Sequence, residues 1–372
     1  MKILHLLYES KGDYFGIGGV GIRAYEIYKF LKERHKITLL CKSYPNSKDG
    51  FIDGLEHIYV GSKEPDLKTS LLCYAKEIRK YLKQHATNYD IIIDEFSPAI
   101  PSMSHLFTEK TILLQVQGYT GIHYFKKYNF LSALYLYLME VIRPFFYENL
   151  LVINDNTLKR LFKKNYKNIL VLPNGIDSSM LQRNYFKGDY ILYFARIDYY
   201  AKGLDVLLKA FSMVNKRFPH ITLVIAGGGR DEDKLEKAVN EIPKSVREKI
   251  KITGWLDSEE KKRILKNSLF YVLPSRHETQ GITVLEAMAC KKAVIVSDIA
   301  ELSYAVNCGA AVSFKNGSPQ SLAQRMIEYL CMDDNLQGKA EKGFQWVEGY
   351  TWDKIALRYE EYLQKIIESN RH

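Results

Sequence analysis

At 372 residues the chain is longer than one ordinary hydrophobic core fills, and its length predicts roughly two domains. Apolar residues make up 47% and charged residues 26%, the balance of a globular protein and not of a disordered or fibrous chain. The formal charge of +10 favours anionic partners such as phosphorylated substrates or acidic lipid, but the lysines and arginines are scattered without a dense block, so no nucleic-acid partner is expected.

The five cysteines, Cys41, Cys73, Cys290, Cys308 and Cys331, are widely separated and show no C-x-x-C spacing. They predict neither a disulfide framework nor a zinc site, and suit a reducing, cytoplasmic setting. The opening MKILHLLY has a short apolar run leading directly into a Gly-rich loop, so it reads as a first strand and not as a signal peptide. No run reaches the roughly 18 apolar residues of a membrane span.

In chain order, Lys2 to Tyr8 is a first parallel strand, followed by the loop Gly12 to Gly21 with the core GIGGVG. A helix from Val20 to Arg34 and a strand from Ile37 to Lys42 come next. Gly16, Gly18 and Gly21 fit a G-x-G-x-x-G spacing, yet the next strand ends in Cys41-Lys42 without the ribose-binding acid of a nicotinamide site. Further strands are expected at Ile91 to Asp94, Thr111 to Val116, Leu150 to Asn154 and Ile169 to Leu172, which makes this half a doubly wound α/β domain. Asp94-Glu95 and Gln117-Gly118-Tyr119 fall at strand ends, where they are either polar ends or cleft-lining groups. The segment Phe130 to Tyr147, FLSALYLYLMEVIRPFFY, follows the basic pair Lys126-Lys127. It reads as a core helix closed by Arg143-Pro144, with docking on an anionic membrane or a lipid-linked acceptor as the alternative. Pro173 to Asp177 is a turn, and the polar stretch Ser178 to Asp189 is the linker.

The second half opens on the strand Tyr190 to Ala195, then Arg196 to Gly203 and a helix from Leu204. Arg196 and Lys202 flank one strand-to-helix turn, so two cations can close on one diphosphate. The strand Ile221 to Ala226 ends in Gly227-Gly228-Gly229, either a tight turn or a place where backbone approaches a nucleotide. Asp231-Glu232-Asp233 opens a helix, where acids are stabilised by the dipole, and is not read as a metal site. Lys249 to Thr253 is a strand before Gly254-Trp255.

Leu269 to Asp298 is a βαβ unit: a strand to Leu273, the loop Pro274 to Gly281, a helix from Ile282 and a strand from Ala293. Its loop lies where ligands bind in parallel sheets, outside the carboxyl ends of the strands. Glu278 and Glu286 can face a ligand there, and the backbone N–H groups of Gly281, Ile282 and Thr283 suit a phosphate. Solvation of Glu278 and dipole complementation by Glu286 are the plainer readings.

The GGV of Gly18 to Val20, the PNGID of Pro173 to Asp177, the Arg196 and Lys202-Gly203 turn, and the pair Glu278 and Glu286 ending in LEAMA follow one another over nearly the whole chain. In this order they resemble the retaining nucleotide-sugar glycosyltransferases of family 4. The resemblance implies the GT-B fold, two Rossmann-like parallel-sheet domains facing across a cleft, here residues 1–180 for the acceptor and 187–350 for the donor. The helix of 351–372 would pack back on the first domain.

It further implies that Arg196 and Lys202 hold the donor diphosphate, Glu286 the ribose and Glu278 the sugar. Gly228 and the amides of Gly281, Ile282 and Thr283 would line the same site, and Gly18 and Gly19 would close over it. Arg196, Lys202 and Glu278 are then the catalytic set, with no metal or other cofactor. The implied partners are a nucleotide-diphosphate sugar and a glycan or lipid-linked acceptor. The implied setting is cytoplasmic envelope-glycan synthesis, at the inner face of the membrane if the aromatic segment docks there.

Gln117 stands where many relatives carry a histidine, with His123 as the nearby substitute on the sugar and acceptor side. Ile299-Ala300-Glu301 replaces a small-residue turn. A nucleotide-sugar epimerase of the same fold and a non-catalytic nucleotide-sugar-binding module are the alternatives.

Overall fold

A computed structural model describes residues 1–12, 18–64, 66–161, 166–331 and 335–370. Gly16 lies outside them, as does the side chain of Lys126. The chain divides into two compact units, Met1–Asn174 with Trp352–His372, and Gly175–Thr351. The division falls inside the PNGID turn, so residues 175–180, placed above in the first domain, pack with the second. Ile176 and Met180 lie in the core of that second unit, and Ile176 N–H donates to Tyr350 O at 2.9 Å.

The first unit is built on the strands β1 (Lys2–Leu6), β2 (Lys36–Lys42), β3 (Gly50–Ile52), β4 (Leu55–Val60), β5 (Ile91–Glu95), β6 (Ile112–Val116), β7 (Asn149–Val152) and β8 (Asn168–Val171). They lie in the order β3-β4-β2-β1-β5-β6-β7-β8, parallel except that β3 runs against β4. IIIDE and ILLQV are buried at every position, because helices cover both faces of a parallel sheet and leave its central strands no polar side. The helix Trp352–Ser369 belongs to this unit. Tyr362 OH donates to Leu150 O at 2.9 Å, and Glu360 accepts from Arg34 at 2.8 Å.

The helix Phe130–Ile142 is not the core helix expected from its sequence. Only Ala133 and Glu140 of its thirteen residues are buried, and Leu131, Tyr135, Leu138 and Ile142 are exposed. A segment apolar on all sides has no periodicity that tells which face turns inward. Arg143 and Pro144, by contrast, are buried in the 3₁₀ turn that follows.

The second unit carries β9 (Tyr190–Phe194), β10 (Thr222–Ala226), β11 (Ile250–Gly254), β12 (Ser268–Leu273), β13 (Val294–Ser297) and β14 (Ala311–Phe314). Their order is β11-β10-β9-β12-β13-β14, with every pairing parallel. From β9 the chain winds outward through β10 to β11, then returns to β12 and winds the other way. The strand order therefore reverses between β9 and β12, and the crevice outside their carboxyl ends is where such sheets bind ligands.

Candidate active site

Two loops meet at that reversal. Residues 195–203 leave β9 and residues 274–281 leave β12, and a strap fixes them to each other. Arg276 donates to both oxygens of Asp205, at 2.7 and 2.8 Å, and stacks over Tyr200 at 4.2 Å. Its backbone N–H donates to Ala201 O at 2.8 Å. Burial would raise the Asp205 carboxyl, but the Arg276 guanidinium outweighs it and holds the group below the usual aspartate range. Neither Arg276 nor Asp205 stands out in the sequence, since each looks like a solvated charge until the fold joins them.

The strap brings Lys202 against Glu278. The Lys202 ammonium donates to Glu278 Oε1, and Ser275 Oγ donates to the same oxygen at 2.9 Å. Glu278 is thus a held group and not the solvated loop carboxylate of the plainer reading. Arg196 follows β9 by two residues with its side chain exposed, while its carbonyl accepts from Tyr193 OH at 3.2 Å.

The helix Ile282–Ala289 begins on Gly281 and places Glu286 one turn in. Glu286 does more than complement the helix dipole: Lys261, from the helix Ser258–Asn267, donates to its Oε1 at 2.6 Å. Burial raises the Glu286 carboxyl above the usual range, with Lys261 opposing. Lys261 does not stand out in the sequence, because its partner lies 25 residues away on another element. Ile282 and Thr283 form the first turn, and Thr283 Oγ1 lies 2.7 Å from Tyr271 OH.

The glycine run after β10 has a packing reason. A Cβ at Gly228 would fall 2.0 Å from Trp255 Nε1, and one at Gly229 would fall 2.4 Å from Ile197 O. Of the two sequence readings, the tight turn is therefore sufficient to explain these residues. Trp255 itself is 74% exposed. No group of three or more acidic, histidine or cysteine residues placed to hold a metal occurs among the described residues.

Gly18, Gly19, Gln117 and His123 belong to the first unit. The Gly18 N–H already donates to Glu9 Oε2 at 2.9 Å, as does Gly21 N–H at 2.7 Å, so a carboxylate of the same unit caps that helix. Gln117 Nε2 donates to Glu95 Oε1 at 3.1 Å. Glu95, buried, also accepts from Gln115 at 2.8 Å and lies 3.2 Å from His5 Nε2. His123 closes a 3₁₀ turn, Gly121–His123. Asn174 of the PNGID turn accepts from Arg23 at 2.9 Å, and Arg23 also donates to the carbonyls of Pro173 and Leu172. That half of the motif ties the end of β8 to the first helix. Full burial pushes the Arg23 guanidinium down to about 10.

Two parallel-sheet α/β units, the second with its charged loops at the strand-order reversal, define the GT-B architecture of glycosyltransferases. Residues 182–345, most of the second unit, match the family described as glycosyl transferases group 1. A glycosyltransferase of Methanocaldococcus jannaschii is 33% identical over 173 residues, 45% of this chain and 42% of that protein. The phosphatidyl-myo-inositol mannosyltransferase of Mycolicibacterium smegmatis is 27% identical over 195 residues, 50% of this chain and 49% of that one. The chain spans about half the length of the curated relatives it matches.

Solved structures align over almost the whole chain. Sucrose-phosphate synthase of Thermosynechococcus elongatus covers 99% of both chains at 16% identity, with a TM-score of 0.78. Anabaena HepE in complex with UDP and glucose covers 98% of this chain and 99% of its own at 15% identity, with a TM-score of 0.74. At such identities the shared property is the fold.

Proposed function

We propose that the protein is a retaining glycosyltransferase that moves a hexose-like sugar from a nucleotide-diphosphate sugar to an acceptor hydroxyl in glycan synthesis. One observation carries this reading: the group 1 segment contains Arg196, Lys202, Glu278 and Glu286, all on elements that leave β9 and β12 at the strand-order reversal. The binding of UDP and glucose by Anabaena HepE supports a nucleotide-sugar donor, and the mannosyltransferase relatives support a glycan or lipid-linked acceptor.

In this reading Arg196 and Lys202 face the diphosphate. Lys202 has three donors and spends one on Glu278. The amides of Ile282 and Thr283 meet a phosphate oxygen, Glu286 accepts from the ribose hydroxyls, and Glu278 accepts from the sugar. The bond between the anomeric carbon and the diphosphate breaks and a bond to the acceptor oxygen forms on the same face. The acceptor proton passes to the departing diphosphate, whose growing charge the two cations stabilise. No side-chain nucleophile and no metal is assigned a step.

Turnover of UDP-, GDP- and ADP-sugars, with the product's anomeric configuration read by NMR, tests this. Undiminished turnover by Lys202→Ala or Glu286→Ala, or an epimerised donor formed without acceptor, would overturn it. Thermal-shift screening names the donor, because a ligand of the folded state raises Tm.

A further inference from the structure

The largest feature left unused by sugar transfer lies on the first unit. Of 23 large hydrophobic side chains exposed among the described residues, ten fall between Ile122 and Phe146. Scattered exposed apolar residues are normal, but a contiguous group marks an interaction site. In the helix Phe130–Ile142, Leu131, Tyr135, Leu138 and Ile142 recur at intervals of four, three and four residues, which is one stripe of a helix. That stripe faces solvent, while the opposite side buries Ala133 and Glu140. Its exposure is thus inverted relative to a helix that serves its own core, with large apolar side chains turned outward and Ala133 and Glu140 turned inward.

Charge decides what covers the stripe. From Tyr119 to Tyr147 the acid is Glu140, which is buried and accepts from Thr120 N–H, Gly121 N–H and Tyr124 OH. Arg143 is buried against Asp94. Within this segment the exposed charge is therefore positive, while Glu148 directly after it and Glu109 near Leu106 are exposed acids at its margin. Lys127 stands before the helix, and exposed Arg160 lies 5.6 Å over the Tyr119 ring. Exposed Lys83 lies 5.4 Å over Phe107, beside exposed Leu106. Two copies packed face to face would bring these like charges together. Aromatic and aliphatic side chains with a basic fringe suit instead an interface of negatively charged lipid.

We propose that this face docks peripherally on an anionic bilayer, with the helix Phe130–Ile142 lying in the plane of the headgroups. Thirteen residues rise only about 20 Å against a hydrocarbon core of about 30 Å, and no helix among the described residues is long and apolar enough to cross a membrane. The bilayer is a surface for the enzyme and not a solvent for a span.

Flotation of the full-length protein with phosphatidylcholine vesicles, with and without phosphatidylglycerol, tests the proposal. Wild type should float with the anionic vesicles and detach at high salt. Leu131→Ser with Leu138→Ser should weaken binding at least about tenfold, because insertion scales with buried apolar area, and Lys127→Glu should weaken it several-fold. Both variants should keep the wild-type Tm and wild-type donor turnover with a soluble acceptor, which separates this surface from the transfer chemistry. Failure of wild type to float, or equal flotation by the double variant, overturns the proposal. So does a concentration-dependent dimer abolished by the same leucine changes, which would make a second copy the occupant.

Discussion

Lys261 Nζ donates to Glu286 Oε1 at 2.6 Å, and this ammonium opposes the burial that raises the Glu286 carboxyl above the usual range. In the proposed ribose-binding role the ionised form is acceptor-only at both oxygens, whereas the protonated form turns one of them into an O–H donor. The folded-state pKa of Glu286 already lies above the usual value, so the useful charge is lost as pH falls through that raised value. Lys261→Met removes the opposing cation and moves the loss to higher pH. Donor affinity should fall about tenfold near neutrality, by the 1.4 kcal/mol or so that a charge-assisted contact contributes, and more steeply below it. Lys261→Arg should restore most of it. Calorimetric titration of donor across pH reads both effects, and an unchanged pH profile in Lys261→Met would remove the pair from donor binding.

The strap of Arg276 on Asp205 fixes where Lys202 and Glu278 meet. Asp205→Asn keeps the shape but weakens two charge-assisted hydrogen bonds. As both side chains are partly exposed, the cost in stability should be about 1 kcal/mol or less. The cost in function should be larger, appearing in kcat as well as KM, since misplacing a charge-stabilising group by about 1 Å can cost two orders of magnitude in rate. Steady-state kinetics beside a thermal melt separate the two. Equal fractional losses in stability and kcat would point to a general loosening instead.

Gly203 opens the helix Leu204–Arg217 with φ at +68°, and a Cβ there would sit 2.0 Å from Pro274 O. Gly317 has a similar φ of +76° with nothing near its absent Cβ. Gly317→Ala should cost only the conformational strain, about 1 kcal/mol. Gly203→Ala adds a clash with the backbone of the neighbouring loop and should cost about 3 kcal/mol or more. Melting the two variants side by side distinguishes strain from crowding.

Much of this architecture is legible in the sequence because buried parallel strands are written as short apolar runs, such as Ile91–Ile93 and Leu269–Leu273. Strand ends then place Arg196, Lys202 and Glu278 in the loops after β9 and β12, with Glu286 in the helix that follows, while the roles proposed for them come from the family resemblance. The hairpin of β3 and β4 is marked in the sequence only by the turn signal Asp53-Gly54, and both residues adopt positive φ. β3 has only three residues, and Glu56 and His57 interrupt the apolar run of β4. The helix Phe130–Ile142 misleads for the opposite reason: a segment apolar on every side says nothing about which side is covered. Lys261, Arg276 and Asp205 are invisible because their roles are pairings between elements, and a charge on an amphipathic helix looks the same with or without a partner.

The same limit applies to Asp94, whose role in the first unit is structural. It accepts two 2.8 Å bonds from Arg143 and one of 2.6 Å from Tyr147 OH, with both charged side chains almost fully buried. Burial alone would raise its carboxyl, but Arg143, Ser104 and Tyr147 together hold it below the usual value of 3.8. Its contribution to stability is therefore fully present above that value and is lost as pH falls through the depressed one. Asp94→Asn leaves a buried guanidinium unpaired and should destabilise the first unit by about 3–5 kcal/mol. Replacing both partners, as Asp94→Leu with Arg143→Met, should cost much less than the sum of the single changes, because no charge is then left buried. Since two units need not unfold together, the measurement is hydrogen exchange at the β5 and β6 amides. There Asp94→Asn should lose protection at neutral pH and show a flatter dependence in acid than wild type. Additive losses in the double variant would mean that the two side chains act independently despite their contact.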